Sequence, residues 1–180
     1  MNIFHVDKDP VIAAQSLVDR HCVKMILESA QLLSTAHRLL DGREVAGKTK
    51  TGRNVKRWVL DDGRDSVLYQ ATHVNHPSAV WTRQSVENYN WLVDHLFALG
   101  NEYTYRYNKT HKCFGELTYQ LASPPFNLKN YDMTTMPSAM DKKYIISDDP
   151  VQNYRNYYRY GKQSIHSWKN RQPPEWMFTL

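Results

Sequence analysis

Cysteine is scarce: Cys22 and Cys113 are the only two in 180 residues. Two cysteines exclude a disulfide framework and a cysteine-based structural zinc site, and both stand among residues that read as buried, so reduced packing thiols are expected. Long apolar runs are missing as well. Nothing approaches the ~20 residues that a transmembrane helix needs, and the stretch from Met1 to Val6 is too short and polar for a signal peptide, which points to a cytoplasmic protein. There are no internal repeats, and no shift in composition marks a second domain. Residues 1–180 therefore read as one domain around one core.

What remains is an ordinary globular composition, 41% hydrophobic and 23% charged, which excludes a disordered chain. The charge balance is mildly basic, 23 Lys and Arg against 18 Asp and Glu, so a nucleic-acid partner is permitted without being required. Aromatic residues say more. Twelve Tyr and five Trp concentrate in the later half among Arg and Lys, a mixture that offers cations for phosphates and flat faces for bases. A tyrosine-rich core with a solvated basic rim would have the same composition.

The pattern along the chain predicts a mainly α-helical bundle of four to five helices with a small β-hairpin inserted. Residues 2–6 are a short apolar stretch that suits a strand. Asp9-Pro10 is a helix start, with Asp as N-cap and Pro at the first helical position, and the helical pattern runs to Leu40 with a possible joint at Asp19-Arg20. Residues 44–71 change character and read as a basic hairpin arm, with strands at 55–60 and 66–71 around the Asp62-Gly63 turn. His76-Pro77 opens a second long helix to about Tyr107, and 110–122 reads as a shorter one. Residues 123–143 have no period and should form an irregular loop. Asp149-Pro150 starts a last helix that runs to about Trp168.

On the first long helix, Cys22, Met25, Ile26, Leu32, Leu33, Ala36 and Leu40 form a wide apolar face, and His21, Lys24, Glu28, Gln31 and Thr35 form one narrow polar seam. Such a seam either meets solvent, as on any amphipathic helix, or lines a cleft. In the second case Lys24 and Glu28, at i and i+4, set an amine beside a carboxylate within a turn of the His21 imidazole. On the second long helix, Trp81, Asn88, His95 and Arg106 share a face that mixes large apolar and polar groups, as a substrate-binding wall would. His95 also reads as a structural histidine, and Glu102 with Arg106 as a plain ion pair. His73 and His76 precede this helix, where His76 caps it or joins His73 in contacting a phosphate or base. No metal site is expected, because the other histidines are scattered, and no cofactor is called for. On the last helix Arg155, Arg159, Lys162, His166 and Lys169 fall on one stripe. With Arg53, Lys56 and Arg57 of the arm they form the candidate nucleic-acid surface, and DNA is the expected partner.

Several segments resemble an uncharacterised family of tailed-phage proteins, including those of cyanophages: Met1-Asn-Ile-Phe, the run His21-Cys-Val-Lys-Met-Ile-Leu-Glu-Ser-Ala-Gln-Leu-Leu-Ser-Thr-Ala-His37, Thr72-His-Val-Asn-His-Pro-Ser-Ala-Val-Trp81, and Tyr154-Arg-Asn-Tyr-Tyr-Arg159 followed by Pro-Pro-Glu-Trp176. That resemblance implies a phage setting and the cytoplasm of an infected bacterium. The chain is also similar to the pyrimidine-dimer DNA glycosylases of the phage endonuclease V type. In those proteins a His is followed seven residues later by the catalytic Glu, a spacing that His21 and Glu28 match. Thr72-His73-Val74 is comparable to their Gly-His-Val, and Tyr160-Gly161-Lys162 to their Tyr-Gly-Lys tail. Leu27 occupies the place of the Arg that precedes their Glu. Their nucleophile is the α-amine exposed after Met removal. Asn2 is a bulky second residue that favours keeping Met1, which leaves Met1 itself or Lys24 as the amine here.

The expected function is thus an N-glycosylase, with an optional lyase step, acting on a pyrimidine base in DNA. Glu28 is its catalytic carboxylate, Lys24 a candidate amine, His21 and His73 orient the substrate, and His76, Trp81, Asn88, His95 and Arg106 bind it. A group transferase on hypermodified phage pyrimidines would use the same seam. A non-enzymatic DNA-binding or host-interaction protein would need only the basic surface. A metal-dependent phosphohydrolase is the least favoured reading, and the oligomeric state is left open.

Overall fold

The computed structural model describes residues 1–178. Among these are seven α-helices and one two-stranded antiparallel hairpin: α1 Pro10–Ser16, α2 Asp19–Asp41, β1 Arg43–Lys48, β2 Asn54–Val59, α3 Arg64–Val67, α4 Pro77–Thr82, α5 Val86–Tyr107, α6 Glu116–Leu121 and α7 Pro150–Gly161. The fold is mainly α, as the sequence predicts. The two long helices α2 and α5 pack on each other, and α1 packs on α5. Between them lies a core that includes Met25, Ile26, Leu32, Leu33, Leu92, Leu96 and Leu99. Asp9 accepts from the Val11 and Ile12 N–H groups to start α1, and Asp149 accepts from Val151 N–H to start α7. Both Asp-Pro signals are therefore helix starts. The joint near Asp19 is real, with Leu17 and Val18 extended between α1 and α2.

Six elements differ from the sequence pattern. The hairpin is one strand earlier than expected: Asn54–Val59 pairs back onto Arg43–Lys48, with Arg43 opposite Val59 and Lys48 opposite Asn54. Residues 66–71 form no strand, because the fully buried Arg38 guanidinium gathers the carbonyls of Trp58, Asp65, Leu68 and Tyr69 and the Asp65 carboxylate, which curls that segment around it. The second long helix is broken after Thr82. Ser85 is extended and accepts from Asn88 N–H, so α5 begins afresh at Val86. Of residues 110–122 only Glu116–Leu121 is helical, preceded by Gly115 at φ 136°, a conformation open to glycine.

The last helix ends at Gly161, seven residues short of Trp168, which divides the expected cationic stripe. Beyond it His166 hydrogen-bonds the Tyr158 carbonyl at 2.9 Å, and Ser167 O accepts from Asp19 N–H at the start of α2. The stretch 2–6 is not a strand either. It is a buried, irregular segment in which Phe4 adopts φ 62°. Both cysteines are free and buried, and burial pushes the Cys22 thiol up to about 12.

Candidate active site

The N-terminal segment is laid over α2 by its second residue. The Asn2 side-chain oxygen accepts from the N–H groups of Ile3 and Phe4, at 2.8 and 3.2 Å, and from the Tyr154 hydroxyl at 2.8 Å. Its amide nitrogen donates to the Ala139 carbonyl at 2.8 Å. This local turn uses the capacity of Asn to hydrogen-bond the backbone just after it. It also drives Phe4 into the left-handed region, which costs a bulky side chain of order 1 kcal/mol or more. Stacking offsets the cost: the Phe4 ring lies 4.2 Å from that of His21 at an interplanar angle of 18°, and edge-on to Tyr154 and Tyr158.

The chain start is thereby held against Glu28. Glu28 is only 8% exposed, and its carboxylate takes the Asn2 main-chain N–H on Oε2 at 2.9 Å and Lys24 Nζ on Oε1 at 3.0 Å. The Met1 amine lies 3.8 Å from the same Oε2. Lys24 keeps 61% of its side chain in solvent, so the group combines a sheltered carboxylate with an accessible amine. His21 sits beneath Phe4 and shares a 2.5 Å hydrogen bond with the Tyr158 hydroxyl. Burial, then the charges of Lys162, Lys24 and Arg20, hold its imidazole down to about 3, so it is neutral at physiological pH. Of the α2 seam, His21, Glu28 and Thr35 are buried, Gln31 is half-buried and Lys24 reaches solvent.

The segment before α4 closes the other side. Thr35 accepts from Thr72 N–H at 3.2 Å and so ties this segment to α2. His76 caps α4, accepting from Ser78 N–H. Its imidazole is lowered by burial first, then by the Met1 amine and His73, while Glu28 acts in the opposite sense, which places all four groups within electrostatic reach. His73 is exposed at φ 49° and bonds the Thr72 hydroxyl at 2.8 Å. Glu28 thus links the chain start to Lys24, Phe4 stacks on His21, and His76 lies within electrostatic reach of both Glu28 and the Met1 amine.

The other nominated residues lie elsewhere. Trp81 and Asn88 are buried and joined to the irregular loop, Trp81 through the Thr134 carbonyl and Asn88 through the Thr134 hydroxyl. His95 is buried, stacked on Trp91 and hydrogen-bonded to the Pro10 carbonyl; burial lowers it to about 4. Arg106 is buried among Glu102, Asp19 and the carbonyls of Leu17 and Gln15. The structure does not bring these four onto Glu28.

The cations are likewise dispersed. Arg53 is exposed at the turn of the hairpin, Lys56 pairs with Glu44 at 2.9 Å, and Arg57 is half-buried beneath Gly47. Arg155 binds Asp7 and the Val6 carbonyl, and Arg159 donates to the Trp176 carbonyl. Lys169 lies over Tyr107, while Lys162 lies over Tyr157 and Phe4 beside the site. Sequence reasoning missed Asn2, Phe4, Tyr154 and Tyr158. Their roles come from contacts between the two ends of the chain, for which no local pattern exists. Among the described residues no group of three or more His, Cys, Asp or Glu is placed to hold a metal, and no helix is long and apolar enough to cross a membrane.

The chain is a mainly helical protein whose first long helix holds a sheltered carboxylate 3.0 Å from the Lys24 amine and 3.8 Å from the Met1 amine, an arrangement that permits amine chemistry under carboxylate control. The family follows directly: the chain belongs to the pyrimidine dimer DNA glycosylase family, whose model matches residues 1–115. It is by that membership a DNA-acting glycosylase. No curated protein and no solved structure matches the chain. The matched region holds Met1, Asn2, His21, Lys24, Glu28, His73 and His76 but ends before Tyr154, Tyr158 and Lys162.

Proposed function

We propose that the protein excises a pyrimidine base from DNA by attack of an amine on the sugar C1′, with Glu28 as the catalytic carboxylate and a lyase step available afterwards. The observation that carries this reading is the position of Glu28, sheltered and in contact with Lys24 Nζ at 3.0 Å and Asn2 N at 2.9 Å, with the Met1 amine 3.8 Å away. A carboxylate there serves two purposes. It stabilises positive charge that develops on the sugar, and it accepts and returns protons within one compact site.

In the proposed sequence the lone pair of an unprotonated amine, that of Met1 or of Lys24, bonds to C1′ while the C1′–N bond breaks and its electrons leave with the base. The amine nitrogen passes a proton to Glu28. Return of that proton to the ring oxygen opens the sugar and leaves an imine between enzyme and C1′. A 2′ proton then passes to the Glu28 carboxylate, free again after returning its first proton, while the C3′–O bond breaks and the 3′ phosphate leaves, which cuts the strand. His73 and His76 flank the path at the rim, and neutral His21 sets the height of Phe4 and with it the chain start.

The test is gel-based cleavage of duplex DNA bearing a cyclobutane pyrimidine dimer, with borohydride trapping of the imine. Wild-type protein cuts and traps, Glu28→Gln loses about 10²–10⁴-fold in rate, and peptide mapping of the trapped adduct assigns the amine to Met1 or Lys24. Failure of the wild type to cut or trap this DNA overturns the reading.

A further inference from the structure

Next to Glu28, the start of α2, inside the region matched by the family model, and the end of α7, beyond it, enclose a cleft of about 300 Å³ lined by Arg20, His21, Lys24, Gly161, Lys162 and Ser164. Its charge is lopsided. Lys24 is held by Glu28, but neither Arg20 nor Lys162 has a carboxylate within 4 Å among the described residues. The one histidine in the wall is neutral, and its Nδ1 is engaged in the hydrogen bond shared with the Tyr158 hydroxyl. Two unneutralised cations in one concavity repel each other, and a polar cleft that tolerates this is suited to an anion.

The cleft is shaped by a residue that carries no side chain. A Cβ at Gly161 would lie 2.6 Å from the Tyr157 ring and 2.7 Å from that of Tyr144. Glycine lets these rings pack at 4.8 Å, and the chain then leaves α7 so that Lys162 Nζ rests 4.7 Å over Tyr157 and 5.9 Å over Phe4. Its ammonium is thus held by cation–π contact with these rings at the wall of the cleft. From the other wall Arg20 projects from the first turn of α2, where the helix dipole adds to the attraction for negative charge.

We propose that this cleft is a phosphodiester subsite in which Arg20 and Lys162 clamp one backbone phosphate of the DNA strand next to the nucleotide at Glu28. The assignment rests on the excision reading for the identity of the strand, not for the anion chemistry of the cleft. Clamping one phosphate fixes the sugar along the strand, so that C1′ meets the amine by position rather than by chance collision.

Methylphosphonate scanning tests this. Duplexes carrying a tetrahydrofuran abasic analogue are made with one neutral methylphosphonate at each linkage around the analogue in turn, and binding to the full chain is read by fluorescence anisotropy. With wild-type protein, one linkage adjacent to the analogue loses about tenfold in affinity when neutralised. The Arg20→Ala/Lys162→Ala variant loses at least as much on the unmodified duplex and loses nothing further at that linkage. Equal further loss in wild type and variant, or no sensitive linkage adjacent to the analogue, overturns the subsite. Inorganic phosphate is titrated separately into the DNA-free protein. Weakening of its binding by the double variant supports the anion cleft, whereas equal binding to wild type and variant counts against it. The binding measurements do not depend on cleavage, so loss of the excision reading leaves a sensitive linkage visible, and loss of the subsite leaves Glu28-dependent cleavage visible.

Discussion

Asn2 and Glu28 are joined across 26 positions of sequence, the Asn2 main-chain N–H donating to Glu28 Oε2 at 2.9 Å. The bond fixes the first peptide unit relative to α2, and the Asn2 side chain fixes it relative to α7 through Tyr154. The start of the chain is therefore clamped between the first long helix and the last, and the amine next to it cannot drift from the carboxylate without breaking one of these anchors.

Replacing Asn2 by Ala tests that clamp. The substitution keeps the main-chain bond but leaves Ile3 N–H, Phe4 N–H and the Tyr154 hydroxyl without their shared acceptor. Stability should fall by about 1–3 kcal/mol, the cost of stranding partly buried donors, measured by urea unfolding. Because Phe4 then loses what holds it at φ 62°, turnover on dimer-containing DNA should fall about 10–100-fold at saturating substrate. Unchanged turnover in a destabilised protein would show that Asn2 supports the fold alone.

Glu28 and the Lys24 that pairs with it were legible in the sequence because both lie on one helix. His21, Lys24 and Glu28 obey a helical period that a single stretch carries, and both Asp-Pro starts depend on adjacent residues. What surrounds them was not legible. The partner of His21 is Tyr158, 137 positions away, and Arg38 stands in an ordinary helical run although it organises the whole segment after the hairpin. The face of Trp81, Asn88, His95 and Arg106 mixes polar and apolar groups because those polar groups bind backbone carbonyls in the interior. That composition is the same as a pocket wall would have.

Arg106 illustrates the cost of such burial. Its guanidinium contacts Glu102 at 2.7 Å, Asp19 at 3.0 Å and two carbonyls, with no part of its side chain exposed. Arg106→Ala should destabilise the protein by about 3–5 kcal/mol, because Glu102 stays buried with Arg171 as its remaining partner and the α1–α2 joint loses its donor. Chemical denaturation reads the loss; a change below about 1 kcal/mol would mean that water replaces the guanidinium freely.

Gly161→Ala should act on shape. The added methyl would press on the rings of Tyr157 and Tyr144, at 2.6 and 2.7 Å, so those rings must turn or α7 must end earlier. Overpacking of this kind costs about 1–3 kcal/mol. Lys162 would move with the rings, so binding to the abasic-analogue duplex should weaken several-fold. A variant with wild-type melting temperature and wild-type binding would show that the rings yield without strain.

Four buried histidines set the acid limit of the fold. Burial is the main cause in each: His5 is held well below the ordinary imidazole value, His21 at about 3, and His37 and His95 at about 4. Above pH 6.5 these imidazoles are neutral in both folded and unfolded chains and contribute nothing to pH dependence. Below pH 6.5 the unfolded chain takes up protons that the folded one refuses, so the free energy of unfolding falls with pH. Each histidine contributes up to about 1.4 kcal/mol per pH unit until its folded value is approached. Asp19, Asp41, Asp62 and Asp65 are lowered in the fold, and their stabilisation is lost only below the ordinary carboxylate value near 3.8, so the two effects occupy separate windows. Urea unfolding at pH 7.5 and pH 5.0 should show a drop larger than the ~2 kcal/mol that one fully excluded histidine supplies over that range. Equal midpoints at the two pH values would mean that these imidazoles accept protons inside the folded protein.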